Sequence, residues 1–482
     1  MIGVAAHPGR FRRLGIAVVL ALAIVVALLS VRTSSAVAGK TFQIGYGDPE
    51  LASESASTRN LWSERAVESG ASVTRIIVAW AEIAPKSPAG GFDATNPGSS
   101  GYSWGNLDAA VRTASAHGLK VLLSVQHAPK WAEGPGRPSD IELGAWEPDP
   151  VAYGEFAQAL AKRYSGSYPD PLTPGSSLPR VRYFAAWNEP NLENFLAPQD
   201  KGGKLVGPSL YRKLLNSFYA GVKTAQPGAK VLGANSASFG APNGFSTAPV
   251  LFLRDLLCLK GAALKPTSCP EKAHFDILSA HAIQVGPPTE SAISPLDATT
   301  PDMGRLTAVV RAAEKAKTVV SSGHIPLWVT EFWVDTKPPD PGGISLAKQA
   351  RWYQQNMYEY WKAGAEVAIE LLLRDQDPGS IGYPETIQSG VYFLNGQPKP
   401  SHLAMRFPLV AHHAGHKVAI WGIAPVAGTV QIQAFRGGAW KTLAKVHAGG
   451  RGRPFTTSFT LPGGAKLRAR IGGELSLPWA LG

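Results

Sequence analysis

The chain has 482 residues, 44% hydrophobic and 17% charged, with 47 Lys plus Arg against 35 Asp plus Glu and a net charge of +12. That length holds two or three ordinary domains, or one large α/β barrel of about 250 to 400 residues with a smaller companion. The apolar fraction excludes a disordered chain, the glycines follow no three-residue period, and two cysteines cannot make a dense disulfide framework, which leaves a globular protein.

At the N-terminus, residues 1–13 carry Arg10, Arg12 and Arg13 with no acid, residues 14–29 read LGIAVVLALAIVVALL, and Ala36-Val37-Ala38 precedes Gly39. This basic, apolar, small-x-small order predicts a secretory signal over residues 1–38. The apolar run is long for a signal and just short of a comfortable membrane span, so an uncleaved anchor stays open. Either way the bulk of the chain is expected outside the cytoplasm, secreted or held at the outer face of the membrane.

Eight short, β-branched apolar runs follow: residues 41–47, 73–80, 120–126, 181–187, 230–236, 275–283, 326–334 and 367–375. Their spacing, about 47 residues per step, suits a strand, a loop, a helix and another loop. Residues 105–119 place Leu107, Ala110, Val111 and Ala114 on one helical face and end at Gly118, while residues 149–164 open with an Asp-Pro helix start. Eight alternations predict a (β/α)8 TIM barrel. A doubly wound open sheet would show a Gly-rich phosphate loop after its first strand, and GYGDPE (45–50) is not one. Cys258 and Cys269 flank a turn-rich segment, and in an exported chain a disulfide is expected there, stabilising by roughly 3 kcal/mol in the chain-entropy model; two free buried thiols are the alternative. From residue 411 the texture changes to short alternating runs separated by Gly/Pro turns, which predicts a small C-terminal β-sandwich packed on the barrel. The expected layout is 1–38 signal, 39–410 barrel and 411–482 sandwich.

Barrel enzymes work from the C-terminal ends of their strands. Two glutamates stand there: strand four runs out into Ala186-Trp187-Asn188-Glu189-Pro190-Asn191, and strand seven into Val329-Thr330-Glu331-Phe332-Trp333. An acid ending an apolar strand beside tryptophan is costly unless something uses it. Strands four and seven would aim the two carboxyls across the mouth at each other, as glycosidic bond cleavage requires; acids salt-bridged to barrel arginines are the bland alternative.

The Trp-Asn-Glu-Pro-Asn and Thr-Glu-Phe runs resemble the acid/base and nucleophile motifs of clan A glycoside hydrolases, nearest in style to family thirty-nine (β-xylosidase and α-L-iduronidase-like) and family five (cellulase-like). The resemblance covers about residues 40–408. Tyr102-x-Trp104-x-x-Leu107-Asp108, Pro129-Lys130-Trp131 and Asn395-Gly396-x-Pro398-Lys399-Pro400 resemble other pieces of the clan. It implies Glu189 as general acid/base, Glu331 as nucleophile of a retaining mechanism and Asn188 as a partner of the sugar 2-hydroxyl. Physically, Glu189 must stay protonated in a drier setting and Glu331 ionised by donors, for which Arg75 in strand two is the natural one, unless it points outward to a helix. His281, ending strand six, matches a position where the clan often has His-x-Tyr; a lone histidine is more often a packed group than a catalytic one.

The sequence also departs from that pattern. Ile283 stands where the tyrosine would be, strand eight ends Leu371-Leu372-Leu373-Arg374-Asp375 in place of a sugar-stacking tryptophan, and Trp333 stands where a glycine is frequent. Trp131, Trp187 and Trp333, with Trp80, fall at strand ends where flat faces could stack on pyranose rings, although tryptophan ordinarily fills cores and rims. No zinc-binding helix motif, Walker loop or CxxC occurs, so neither metal nor cofactor is expected; His412, His413 and His416 read as an exposed loop. The expected function is a retaining hydrolase of O-glycosidic bonds in an oligo- or polysaccharide, monomeric, with a non-catalytic carbohydrate-binding barrel at the cell surface as the alternative.

The charge divides unevenly. Residues 1–38 hold four arginines and no acid, residues 411–482 nine basic residues and one acid, and the barrel between is neutral. A neutral barrel argues against nucleic acid as substrate, and the basic sandwich is expected to contact the cell envelope through anionic wall polymers or lipid headgroups.

Overall fold

In the computed structural model, which describes residues 41–241, 245–283, 286–461 and 464–481, the eight apolar runs are the strands of a closed, all-parallel barrel. They are β1 (Gln43–Gly47), β2 (Val73–Ala79), β3 (Lys120–Gln126), β4 (Tyr183–Ala186), β5 (Lys230–Ser236), β6 (Ile277–His281), β7 (Leu327–Phe332) and β8 (Ala365–Glu370). Each pairs with its sequence neighbours, and β1 closes the ring on β8. Apart from Ile77 of β2 and a few end residues, the strands are buried on both faces, so they read as continuous apolar runs rather than alternating ones. The predicted signal or anchor, residues 1–38, lies outside the described residues. No helix among the described residues is long and apolar enough to cross a membrane.

One principal helix follows each strand: α1 (Ala56–Glu68), α2 (Gly105–Ala116), α3 (Pro150–Arg163), α4 (Gly207–Ala225), α5 (Pro249–Leu256), α6 (Met303–Ala316), α7 (Leu346–Lys362) and α8 (Pro400–Arg406). Local chemistry sets their ends. Asp149 accepts the Val151 and Ala152 amides at 2.7 and 3.4 Å and Pro150 occupies the first turn of α3, while α2 stops before Gly118, whose φ of +74° suits a residue without Cβ. Leu107, Ala110, Val111 and Ala114 are buried, as the periodicity predicts.

Side chains fill the lumen in layers. The floor is apolar: Val73, Leu122, Ala185, Leu232, Ile277, Trp328, Val367 and Ile369 pack together. β1 contributes Gly45, where a Cβ would lie 2.7 Å from the Val73 carbonyl oxygen, so only glycine lets the two strands approach. Above the floor the lumen turns polar, with the Ser279 and Thr330 hydroxyls 2.6 Å apart and both residues buried.

The C-terminal residues form two antiparallel sheets. β9 (Leu409–Ala414), β10 (Lys417–Gly422) and β13 (Phe455–Phe459) make one; β11 (Ala427–Arg436), β12 (Ala439–Gly449), β14 (Lys466–Ile471), β15 (Glu474–Leu475) and β16 (Trp479–Ala480) make the other. One expectation is corrected here. His412 and His413 lie in β9, paired to Ala419 and Val418, and His412 packs on Tyr358 of α7 with ring centroids 5.3 Å apart. Polar residues on a strand whose edge faces a helix hide the strand from an apolar-run criterion.

Residues 41–482 form one compact unit. Trp421 of β10 meets Tyr358 and Trp361 of α7 and Phe42 before β1, with centroids 5.7, 5.9 and 6.2 Å away. The Phe42 amide donates to the Gly452 carbonyl at 2.9 Å, and Arg406 of α8 grips Glu474 at 2.6 Å. Cys258 and Cys269 are disulfide-bonded, their Cα atoms 5.8 Å apart.

Candidate active site

The chain leaves β4 through two left-handed residues, Trp187 at φ +68° and Glu189 at φ +39°. Such backbone persists only where surroundings over-determine it. Here they do: the Trp187 amide donates to the Tyr153 hydroxyl at 2.9 Å, the Ala186 carbonyl accepts from Tyr211 at 2.7 Å and Asn235 at 2.9 Å, and the Glu189 amide donates to the Asn235 carbonyl at 3.0 Å. Asn191, fully buried, braces the following turn by accepting the Ala237 amide at 2.8 Å and donating to the Thr247 carbonyl at 2.9 Å. The double bend turns Asn188 and Glu189 toward one centre.

A bulge does the same work on β7. Strict alternation from lumen-facing Trp328 would put Thr330 inside and Glu331 outside. The pairing of β6 with β7 instead slips between Ala280 and His281, so that His281 sits opposite Glu331. Thr330 bonds Ser279 within the lumen, and Glu331 also points inward.

Arg75 ties these elements together. Its Nη1 lies 2.7 Å from Glu331 Oε2, and its Nη2 donates to Asn188 Oδ1 at 2.5 Å. The outward alternative for Arg75 is thereby set aside: the side chain is 4% exposed and spans from β2 to β7 and β4. A guanidinium has donors only, so Asn188 must face it with its oxygen, which leaves the Asn188 NH2 turned away from the arginine. His281, fully buried, sets Nδ1 2.7 Å from Glu189 Oε1 and 3.6 Å from Glu331 Oε2. Burial pushes the Glu331 carboxyl up, but His281 and Arg75 outweigh it and hold the group below the usual carboxylate range.

The residues predicted from sequence thus divide. Glu189, Glu331, Asn188, Arg75 and His281 converge. Trp187 does not join them: it is fully buried, its indole donating to the Phe195 carbonyl at 2.8 Å and its ring edge-on to Tyr153, so no face is free for a sugar. Trp80 is core in the same way, stacked on Phe156. Trp131 is half-buried with its N–H on the Pro85 carbonyl at 2.7 Å, and Trp333 is half-buried two residues past Glu331. No tyrosine hydroxyl bonds Glu331 among the described residues; Ile283 donates its amide to Ser238 Oγ at 2.8 Å instead. β8 gives the site no aromatic floor, since Leu372 and Leu373 are buried and Arg374 turns to Glu50 and the Leu394 carbonyl.

Glu189, His281 and Glu331 are also the set that could hold a metal, each offering one atom, all within 4.8 Å of one another. A divalent cation there would face the Arg75 guanidinium, which lies 2.7 Å from Glu331 Oε2, an unfavourable neighbour for it.

Sequence reading passed over a second group of acids on the β1 and β8 side of the barrel mouth. Glu370, ending β8, is fully buried, and its Oε1 accepts from the Tyr353 hydroxyl at 2.9 Å. Lys399 and Asp375, both side chains wholly inaccessible, pair at 2.6 Å, and Lys399 also donates to Thr336 Oγ1 and the Gln388 carbonyl. Asp48 accepts the Leu373, Arg374 and Glu50 amides. Burial raises Glu370 well above the carboxylate range, pushes Asp48 and Asp375 up to about 6, and lowers Lys399. A cavity of about 670 Å3 opens beside this group, lined by Asp48, Asp375 and Arg374 but by neither Glu189 nor Glu331. The signal was present in the sequence: Glu370 closes an apolar strand as Glu189 and Glu331 do.

Comparison with solved structures places the barrel among known ones. A family 39 glycoside hydrolase from the gut symbiont Bacteroides cellulosilyticus WH2 matches 88% of this chain and 81% of its own, at TM-score 0.53 and 15% identity. In fold, the chain is similar to that hydrolase. Two further structures overlay less closely: the family 39 enzyme from Xanthomonas axonopodis pv. citri (88% of this chain, 94% of that one, TM-score 0.48, 15% identity) and a family 39 β-xylosidase from Caulobacter crescentus (87%, 96%, 0.46, 16%). No family model and no curated protein matches the sequence.

Proposed function

We propose that this chain is a retaining glycoside hydrolase acting on the O-glycosidic bonds of an oligo- or polysaccharide. The carrying observation is the pair Glu189 and Glu331, which face each other with one carboxylate oxygen of each within 4.8 Å of the other and His281 Nδ1 near both. Retaining enzymes hold their carboxyls about 5 to 5.5 Å apart, whereas inverting ones need about 6.5 to 9.5 Å to admit a water.

Glu331, kept ionised by Arg75 and His281, attacks the anomeric carbon as the glycosidic C–O bond breaks. Glu189 gives its proton to the departing oxygen. The ester on Glu331 is then hydrolysed by a water that passes its proton to Glu189. The Asn188 amide, fixed by Arg75, is poised to donate to a hydroxyl beside the anomeric carbon. Trp131 and Trp333 are the proposed ring contacts. Export belongs to the same proposal, with residues 1–38 as signal or anchor; the Cys258–Cys269 disulfide supports an oxidising compartment.

The test assays wild type, Glu189→Gln and Glu331→Gln on a panel of aryl glycosides and follows the first product's anomeric configuration by NMR. Turnover with retention, lost in both variants, is expected. An inverted product removes Glu331 as nucleophile, and equal inertness of all three proteins on every sugar overturns the enzymatic reading.

A further inference from the structure

The outer face of the sheet built on β11, β12 and β14 carries side chains that the packing of the fold does not require. β11 and β12 meet in a two-residue turn, Gly437-Gly438, both at positive φ, which sets Phe435 directly opposite Trp440. Their rings lie 5.3 Å apart, and Phe435 is 43% exposed. The Arg468 guanidinium sits 4.2 Å over the Trp440 ring and donates to Gln433 Oε1 at 2.8 Å. Thr442 bonds Gln431 on the same face at 3.1 Å, and exposed Lys466 and Arg470 flank Arg468 on β14. Phe435, Trp440, Lys466, Pro478 and Ala480 enclose a shallow cavity of about 380 Å3.

Each part has a physical reading. The exposed ring of Phe435 and the half-buried ring of Trp440, which Arg468 already overlies, gain by covering the C–H faces of a sugar ring. The half-buried Gln431 amide and the exposed Thr442 hydroxyl match hydroxyls, while buried Gln433 fixes Arg468. Three cations on one strand, in a segment with nine basic residues and a single acid, draw a negatively charged partner. A nucleic acid or a lipid headgroup would use the charge; a chain of carboxylated sugar rings would use all three.

We infer that this face is a second carbohydrate site, one that binds an anionic polysaccharide of uronic-acid type by stacking on Trp440 and Phe435 and pairing its carboxylates with Lys466, Arg468 and Arg470. It lies on the sandwich, apart from Glu189 and Glu331, and it binds whether or not the barrel turns a sugar over.

The experiment is affinity electrophoresis of the full chain, carrying Glu331→Gln so that nothing is cleaved, through gels containing polygalacturonate or neutral hydroxyethyl cellulose, with sedimentation on phosphatidylglycerol vesicles in parallel. Retardation by polygalacturonate alone is expected, weakening as salt rises. Trp440→Ala should weaken apparent binding roughly tenfold and Lys466→Gln about threefold, while Trp440→Phe retains most of it. Thermal melting checks that the variants are folded. No retardation, equal retardation by the neutral polymer, or vesicle binding without polysaccharide binding each overturns the inference. So does retention undiminished in folded Trp440→Ala, because that is diffuse charge without a site.

Discussion

Two groups of acids share the mouth of one barrel, and the protein treats them in opposite ways. Glu331 and Glu189 face Arg75 and His281, keep a little exposure, and Glu331 is held ionised. Glu370 and Asp375 are buried beside a single lysine, Lys399, and Asp48 against three backbone amides, and burial drives each of them toward the protonated form. Depth alone therefore does not mark a reacting carboxylate. What separates the groups is the balance: Arg75 and His281 together outweigh burial at Glu331, whereas Lys399 alone does not outweigh it at Asp375.

Paired substitutions break or sharpen that contrast. Glu331→Gln should lower turnover by about a thousandfold or more, whereas Glu370→Gln, which puts a neutral isostere where burial already disfavours the charged carboxylate, should leave turnover within about threefold and stability within about 1 kcal/mol. Comparable losses from both, in aryl glycoside assays, would erase the distinction. Lys399→Met removes one partner of a fully buried pair and should cost about 3–5 kcal/mol in denaturant unfolding. Arg75→Met should leave a folded protein that is slower by about a hundredfold. Its acid limb should also move: Glu331 loses a group that holds its pKa down, so kcat/KM falls off at higher pH than in wild type. An unshifted limb would mean that Arg75 does not tune Glu331.

The smallest effect lies in pH-dependent stability. Folded Asp48 and Asp375 bind protons up to about pH 6, above their ordinary value of 3.8. Their contribution is therefore complete below about pH 4 and is lost as pH rises through 6. Asp48→Asn should flatten that decline but lower stability overall by about 1–3 kcal/mol, because its NH2 would face a backbone amide that the carboxylate now accepts; both effects are read from melting curves between pH 4 and 7.

Much of this is legible in the sequence. Continuous apolar runs are what a barrel's doubly buried strands look like, so all eight were readable, and the two glutamates stood out because charge ending such a run is expensive. The same rule applied to residues 365–370 would have flagged Glu370; no rule of sequence tells a neutralised acid from an ionised one, since that depends on which cation folds against it. Arg75 was readable as a donor to Glu331, but its hold on Asn188 and the pairing of His281 with Glu189 were not, because they come from bends and bulges: left-handed Trp187 and Glu189, and the slipped pairing before His281. Trp187 misled for that reason. A strand-end tryptophan is read as lining the mouth, while the reversed backbone sends this one into the wall behind it.

Trp421 wedges among Tyr358, Trp361 and Phe42, and the backbone of Phe42 is tied to Gly452. The C-terminal sheets therefore cannot be cut away as a passenger. A chain stopped at residue 408 would bare an aromatic seam along α7 and untie the segment that leads into the first barrel strand, and the sheets alone would present the other half of that seam to water. Dissection into separate halves would measure sticky fragments, and recombination with a foreign barrel would succeed only if α7 travelled with the sheets it supports.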